Sequence, residues 1–317
     1  MRLPALLRTP PPPVAIEITP RHVAAIDVSA GLRVSRYVVE PLPAGAVVPS
    51  LNAPNVADPQ ALAATVQRVW DQLGRRPRRV ALVVPDAVAK VSFIRFQLVP
   101  GRTADLDNMI RFQIRKAAPF RIEDSQVSYS RGIDTTDGQE FVVLQARQDI
   151  IAEYEGACRA TGAEPGLVDL STFSVVNAVM GARSAPAGDW LLVNVSPGGL
   201  ALAILRDRHI VFFRHRLAEG DGGLGDLVHQ TAMYYQDRLG GSGFSRVCVA
   251  GAALGDGPQA VGRTVEARLG RTVEFVDPTG TVDFAERIAL PASVGDALTP
   301  AIGIAVAQRV NGQRRRG

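Results

Sequence analysis

The chain has 317 residues, 46% of them hydrophobic and 21% charged, and carries a net charge of +4, which suits about two globular domains at ~150 residues each. Only Lys90 and Lys116 are lysines; the arginines cluster at Arg75, Arg76, Arg78 and Arg79 and again at Arg314, Arg315 and Arg316, and these read as solvated edges rather than a nucleic-acid surface, the alternative being a pull on anionic lipid of about 1 kcal/mol per residue. Two distant cysteines, Cys158 and Cys248, without ligand spacing argue for a reduced compartment and against a metal site, and no apolar run approaches the ~18 residues of a membrane span, so a cytoplasmic protein is expected.

Along the chain, the short apolar piece at 3–7 and the prolines at 10–13 make a flexible lead too broken for a signal peptide. Strand-like runs follow at 14–19, 22–28 and 32–39, with a turn at Pro20 and Arg21 and a break at Ala30 and Gly31. A helix fits 59–73, with Leu62, Val66, Val69, Trp70 and Leu73 on one face and Asp58 as its cap. The wholly apolar run 80–84 suits a strand buried on both faces. A different block comes next: a strand at 89–98, a helix at 104–118 capped by Thr103 and stopped by Pro119, and strands at 125–132 and 141–146. This β–α–β–β block, residues 89–147, reads as an insertion. The helix 149–161 with Gly162 behind it, the strand 167–170 and a helix from a capping Ser171 to Gly181 end the first unit, and 183–188 reads as a linker.

A second unit opens at Asp189. Strands fit 190–195, 200–205 and 210–217; a glycine-rich stretch at 220–225 leads into a helix ending near Leu239. A strand at 246–250, a helix at 258–269, a strand at 273–276 and a helix at 297–310 follow, then a basic tail at 311–317. The order meander, helix, strand, helix thus occurs twice, over 14–182 and 189–310, which argues for a duplicated α/β fold of two domains.

Several segments carry a resemblance to a known family. They are the start at Val14–Ile18, the run from Tyr37 to Pro43, the helix from Asn108 that closes on Pro119 and Phe120, Val168 to Phe173, Val276 to Pro278 and Ala301 to Ala305. Their order and spacing resemble the PilM family of type IV pilus assembly proteins. The resemblance implies an actin-like (RNase H-like) fold, ATP or ADP with Mg²⁺ as the ligand class of the cleft, and a PilN-like inner-membrane partner whose N-terminal tail docks between the first core subdomain and the insertion.

In such a fold two hairpin turns hold phosphate through backbone amides, and a carboxylate on each organises Mg²⁺. The candidate nucleotide residues are Glu17, Thr19 and Arg21 on the first turn, Asn194, Ser196, Gly198 and Gly199 on the second, and Gly251 before Ala252 and Ala253 on the adenosine side. Each loop departs from the family pattern. Glu17 stands for Asp, Thr19 for Gly and Ala24 for Lys, Asn194 stands for Asp, and Pro20 and Pro197 each remove an amide donor. Hydrolysis is therefore not expected and no catalytic residue is assigned, while weak nucleotide binding is compatible with what is left. Asp27 with Ser29 imitates a phosphate loop but falls one strand too late. His22, His209, His215 and His229 lack ligand spacing.

The insertion offers Phe93, Phe96, Ile110, Phe112, Ile114, Pro119 and Phe120, expected to line the partner groove, although the same residues suit the small core of a β–α–β–β unit. Three readings stand: a non-catalytic scaffold of the type IV pilus inner-membrane platform, peripheral to the membrane through its partner; a working ATPase or sugar kinase of the same fold; and a type II secretion or FtsA-like platform component.

Overall fold

The structure is a computed structural model that describes residues 11–29, 32–182, 185–217, 223–285 and 290–314. The apolar piece at 3–7, the break at Ala30 and Gly31, the first part of both the linker and the glycine-rich stretch, and Arg315 and Arg316 lie outside the described residues.

The first half opens with an antiparallel meander of β1 (Val14–Ile18), β2 (His22–Ser29) and β3 (Arg33–Pro41). Helix α1 (Pro59–Leu73) crosses over to β4 (Arg79–Val84), which runs parallel to β1. Sequence signals account for α1 well. Asp58 accepts the Ala61 N–H at 2.9 Å, Pro59 occupies the first turn, and Gly74 closes the helix in the left-handed region at φ 62°. Residues Val80 to Val84 are all buried, as expected of a strand covered on both faces.

Next come β5 (Ala89–Phe96), α2 (Thr103–Arg115), β6 (Ser125–Thr135) and β7 (Gly138–Arg147), which form a separate three-stranded sheet in the order β5-β7-β6. The chain returns through α3 (Gln148–Arg159), β8 (Glu164–Leu170) and α4 (Ser171–Gly181). Two expected caps do not form. Thr103 is already the first helical residue of α2 and makes no capping bond, and α4 starts at Ser171, whose hydroxyl is used elsewhere.

The second half repeats the plan with β9 (Asp189–Ser196), β10 (Gly199–Arg206), β11 (His209–Leu217), α5 (Leu224–Leu239), β12 (Arg246–Ala250), α6 (Pro258–Leu269) and β13 (Glu274–Phe275). Strand order makes the duplication explicit: β3-β2-β1-β4-β8 in one sheet corresponds to β11-β10-β9-β12-β13 in the other. β14 (Asp283–Phe284) and α7 (Ala292–Arg314) then return to the first half, with β14 pairing beside β3 and α7 lying on β1, β2 and β4. The closing helix, read from sequence as part of the second unit, thus packs on the first sheet, where Leu298, Ala301, Ile302 and Ile304 meet Ala24, Ile26, Ala81 and Val83. Helix periodicity says that one face of α7 must be buried but not which sheet it covers.

Helices therefore cover both faces of each large sheet. In the first half, α1 and α3 pack on one face and α7 on the other. In the second, α5 and α6 pack on one face and α4 on the other. Helix α4 lies between the two sheets and crosses α7 at close range.

Candidate functional site

The turn between β1 and β2 consumes its own donors. Thr19 N and Thr19 Oγ1 both donate to His22 O, at 3.0 and 2.8 Å, and Thr19 Oγ1 in turn accepts the N–H groups of Arg21 and His22. Pro20 has no N–H. No amide of this turn is left to point at an anion, and the Arg21 side chain stands out in solvent.

At the foot of the cleft, side chains from several elements of both halves meet. Glu17, from β1, is 3% exposed and accepts the Ser171 hydroxyl at 2.9 Å. Burial pushes its carboxyl up to about 8, against the pull of the Ser171 hydrogen bond and with help from the nearby Asp86 charge. Asp86 lies in the short turn after β4. It accepts the Thr172 N–H at 3.0 Å and the Thr172 hydroxyl at 2.6 Å, and burial raises its carboxyl while the neighbouring His215 on β11 pulls it down. Asn194, from β9, donates its amide to the Thr172 hydroxyl at 2.9 Å. His22 lies 4.0 Å from Glu17, without a hydrogen bond on Nε2, and burial pushes it down to about 4. Asp169, at the end of β8, is pushed up to about 7 by burial. Glu17 and Asn194 thus come together as the sequence suggests. Asp86, Ser171, Thr172 and His215 were not foreseen as part of the cluster. The one signal for Asp86 was its position just past a wholly apolar parallel strand, where α/β sheets place ligand-facing groups.

The second turn meets the first. A Cβ built on Gly198 would lie 3.7 Å from Pro49 Cγ and 3.8 Å from Pro20 Cγ, so the two hairpin turns and the loop after β3 lie close together. Ser196 donates its hydroxyl to Gly199 O at 3.1 Å, and Gly199, at φ 147°, is crowded by Arg216 O. Gly251 sits at φ 71° with a Cβ position 1.8 Å from Val195 O, so close backbone approach accounts for this glycine. Beyond it, Asp296 at the start of α7 accepts the Ala253 N–H at 2.8 Å.

The family resemblance implies a magnesium-bound triphosphate here, and several features of the two turns run against that expectation. The first turn has no free amide, the turns lie close together, Asn194 lacks a charge, and burial pushes the Glu17 carboxyl up to about 8. No group of three or more His, Cys, Asp or Glu among the described residues is placed to hold a metal ion.

The insertion residues separate onto different surfaces. Ile110 and Ile114 are 0% and 5% exposed and pack with Ile94, Phe96, Phe141 and Val143, so they hold α2 to its sheet and face no partner. Phe112, 69% exposed, and Pro119 point to solvent on the outer side, and Phe120 is half-buried. The opposite face of the sheet carries Ala89, Val91 and, by alternation, Phe93. A cavity of about 80 Å³ lies there, between the insertion and the first core sheet, lined by Val84, Ala89, Ser128, Leu144, Val168 and Leu170 among others. This small groove is not lined by the residues of α2, because the insertion sheet stands between. Strand β8, at the end of the core sheet, borders this groove with its outer edge unpaired among the described residues.

A sequence profile of the family described as "Type IV pilus assembly protein PilM" matches residues 16–236. No curated protein matches the chain. Among solved structures, it is similar to a "PilM-PilN type IV pilus biogenesis complex" at 17% identity and a TM-score of 0.79, over 93% of this chain and 98% of that one. It is also similar to the ethanolamine utilization protein EutJ from Carboxydothermus hydrogenoformans, at 11% identity and a TM-score of 0.51 over 94% and 90% of the two chains. A Bacteroides thetaiotaomicron protein of unknown function, described as having an actin-like ATPase fold, matches at 9% identity and a TM-score of 0.50 over 83% and 90%. At these identities the likeness establishes the architecture, a duplicated actin-like fold with a small insertion in its first half.

Proposed function

The chain belongs to the PilM family of type IV pilus assembly proteins, and we propose that it is a scaffold of the inner-membrane platform that docks the N-terminal cytoplasmic tail of a PilN-like membrane protein and turns over little or no ATP. The observation that carries the docking half is the groove between β8 and the insertion sheet. It combines an unpaired strand edge, apolar walls at Val84, Leu144, Val168 and Leu170, and exposed Gln126 and Ser128 on β6. An extended peptide gains main-chain hydrogen bonds from such an edge and selectivity from such walls. The solved relative described as a PilM-PilN complex supports the choice of partner class. The closely spaced turns and the neutral Asn194 support the absence of turnover. No helix among the described residues is long and apolar enough to cross a membrane, and in this reading attachment to the inner membrane runs through the partner.

Binding of a fluorescent peptide of the partner's N-terminal tail tests the groove. Ser128→Arg and Gln126→Arg, both at exposed positions that line it, should weaken binding at least tenfold, and Phe112→Ala on the outer face of α2 should leave it unchanged. Retained binding in the first two, or loss in the third, would move the docking site off this groove.

A further inference from the structure

At the foot of the cleft one line of hydrogen bonds runs from the first half to the second. Asn194 Nδ2 on β9 donates to Thr172 Oγ1, and Thr172 Oγ1 donates to Asp86 Oδ2, with Thr172 N donating to the other oxygen of the same carboxylate. All three side chains are at least nine-tenths buried, at 4%, 0% and 3% exposure for Asn194, Thr172 and Asp86. The short turn that carries Asp86 also touches β11 of the second half, whose His215 acts electrostatically on the same carboxylate. At the mouth, Pro20 and Pro49 of the first half lie close to Gly198 of the second, within van der Waals reach of a Cβ built there. The halves are thus joined at the foot of the cleft and lie close at its mouth. Separating them would break the Asn194–Thr172 bond and leave the Asn194 amide without its acceptor, while Thr172 and Asp86, both in the first half, keep each other.

We infer that Asp86, Thr172 and Asn194 form a built-in clasp that holds the two halves in one closed arrangement with no nucleotide between them. Helix α4 suits the task. Its first turn carries Thr172, while its remaining length is buried against the second sheet through Val175, Val176 and Val179. The neighbouring Ser171–Glu17 bond lies within the first half and does not cross the cleft. In this view Asn194, which lacks the charge a metal site would want, is the donor that the Thr172 hydroxyl requires. The clasp rests on the reading that the cleft does not turn over ATP. The two fail separately, since calorimetric binding and turnover of Mg-ATP would remove that reading, while the clasp depends on the motion of the halves.

Pulsed electron paramagnetic resonance on the full chain measures that motion. Nitroxides at Ala64→Cys on α1 and Met233→Cys on α5 report the separation of the halves. Both positions are exposed, whereas the native Cys158 and Cys248 are buried with thiols pushed up to about 12 and about 11, so labelling is selective. The nucleotide-free protein should give a single narrow distance distribution, unchanged by Mg²⁺ and an imido analogue of ATP. Thr172→Val should broaden it towards longer distances. Asn194→Ala should do the same from the other side of the bond, and it replaces Thr172→Val if that variant does not fold. Thr172→Ser and Ser171→Ala should leave the distribution narrow. The clasp is wrong if the folded opening variant keeps the narrow distribution, or if the free protein is broad and narrows only with nucleotide.

Discussion

Glu17 illustrates how a side chain's chemistry depends on what surrounds it. From sequence it is an acid beside a turn, a candidate for holding Mg²⁺. In the fold it is sealed under Ser171 and shifted to about 8. Because its folded pKa lies above the ordinary value of 4.5, its contribution to stability is complete below pH 4.5 and is lost as pH rises towards 8. Asp169, raised to about 7, acts in the same direction over a lower window. His22, lowered from 6.5 to about 4, acts oppositely: its contribution is present above pH 6.5 and lost as pH falls to 4. Below pH 6.5 the trends oppose, and above it the carboxyls act alone. Unfolding free energy by urea should therefore fall between pH 6.5 and 8, by at most about 2 kcal/mol from Glu17 at 1.4 kcal/mol per unit. Glu17→Gln should flatten the part between pH 7 and 8; an unchanged slope would show that Glu17 is ionised in the fold. Nothing in the local sequence separates an exposed Glu17 from this buried one, since Ser171 is 154 positions away.

At the scale of elements, local signals located helices better than they explained helix ends. Asp58, Pro59 and Gly74 bound α1 as read, because capping is a matter of neighbouring residues. Ser171 offered the same signal at α4, yet its hydroxyl serves Glu17. The α4–α7 crossing makes a sharper prediction. A Cβ on Gly303 of α7 would lie 1.7 Å from Ser174 O of α4, whereas one on Gly295 of the same helix meets only Pro278 at 3.7 Å. Gly303→Ala should force the helices apart and cost about 3 kcal/mol or more, at the upper end of overpacking. Gly295→Ala should be neutral or stabilising by up to about 1 kcal/mol, from helix propensity. Thermal melts of the two variants should move in different directions; a benign Gly303→Ala would mean that the crossing is looser than it stands here.

For the molecule as a whole, the close approach of the two hairpin turns bears on nucleotide affinity. A ligand present at a hundred times its Kd stabilises the folded state by about 2.7 kcal/mol, so millimolar Mg-ATP would visibly raise the melting temperature of a protein with micromolar affinity. Here the melting temperature should not move, and titration calorimetry should show no saturating heat. Asn194→Asp, which returns the missing charge, should not create a site. It places a second carboxylate beside Thr172 and the buried Asp86, and should lower stability by repulsion and the loss of a donor.

By itself the sequence determined the duplicated order of strands and helices, the position of the insertion and the family, because these follow from periodicity, turn residues and segment order, which are properties of neighbours along the chain. The structure decided what lies across the cleft: Thr172 between Asp86 and Asn194, prolines near Gly198, α7 on the first sheet, and a small cavity on the side of the insertion away from α2. Burial and donor pairing between residues tens to hundreds of positions apart depend on how sheets and helices stack, and hydrophobic pattern constrains which face is covered without saying by what.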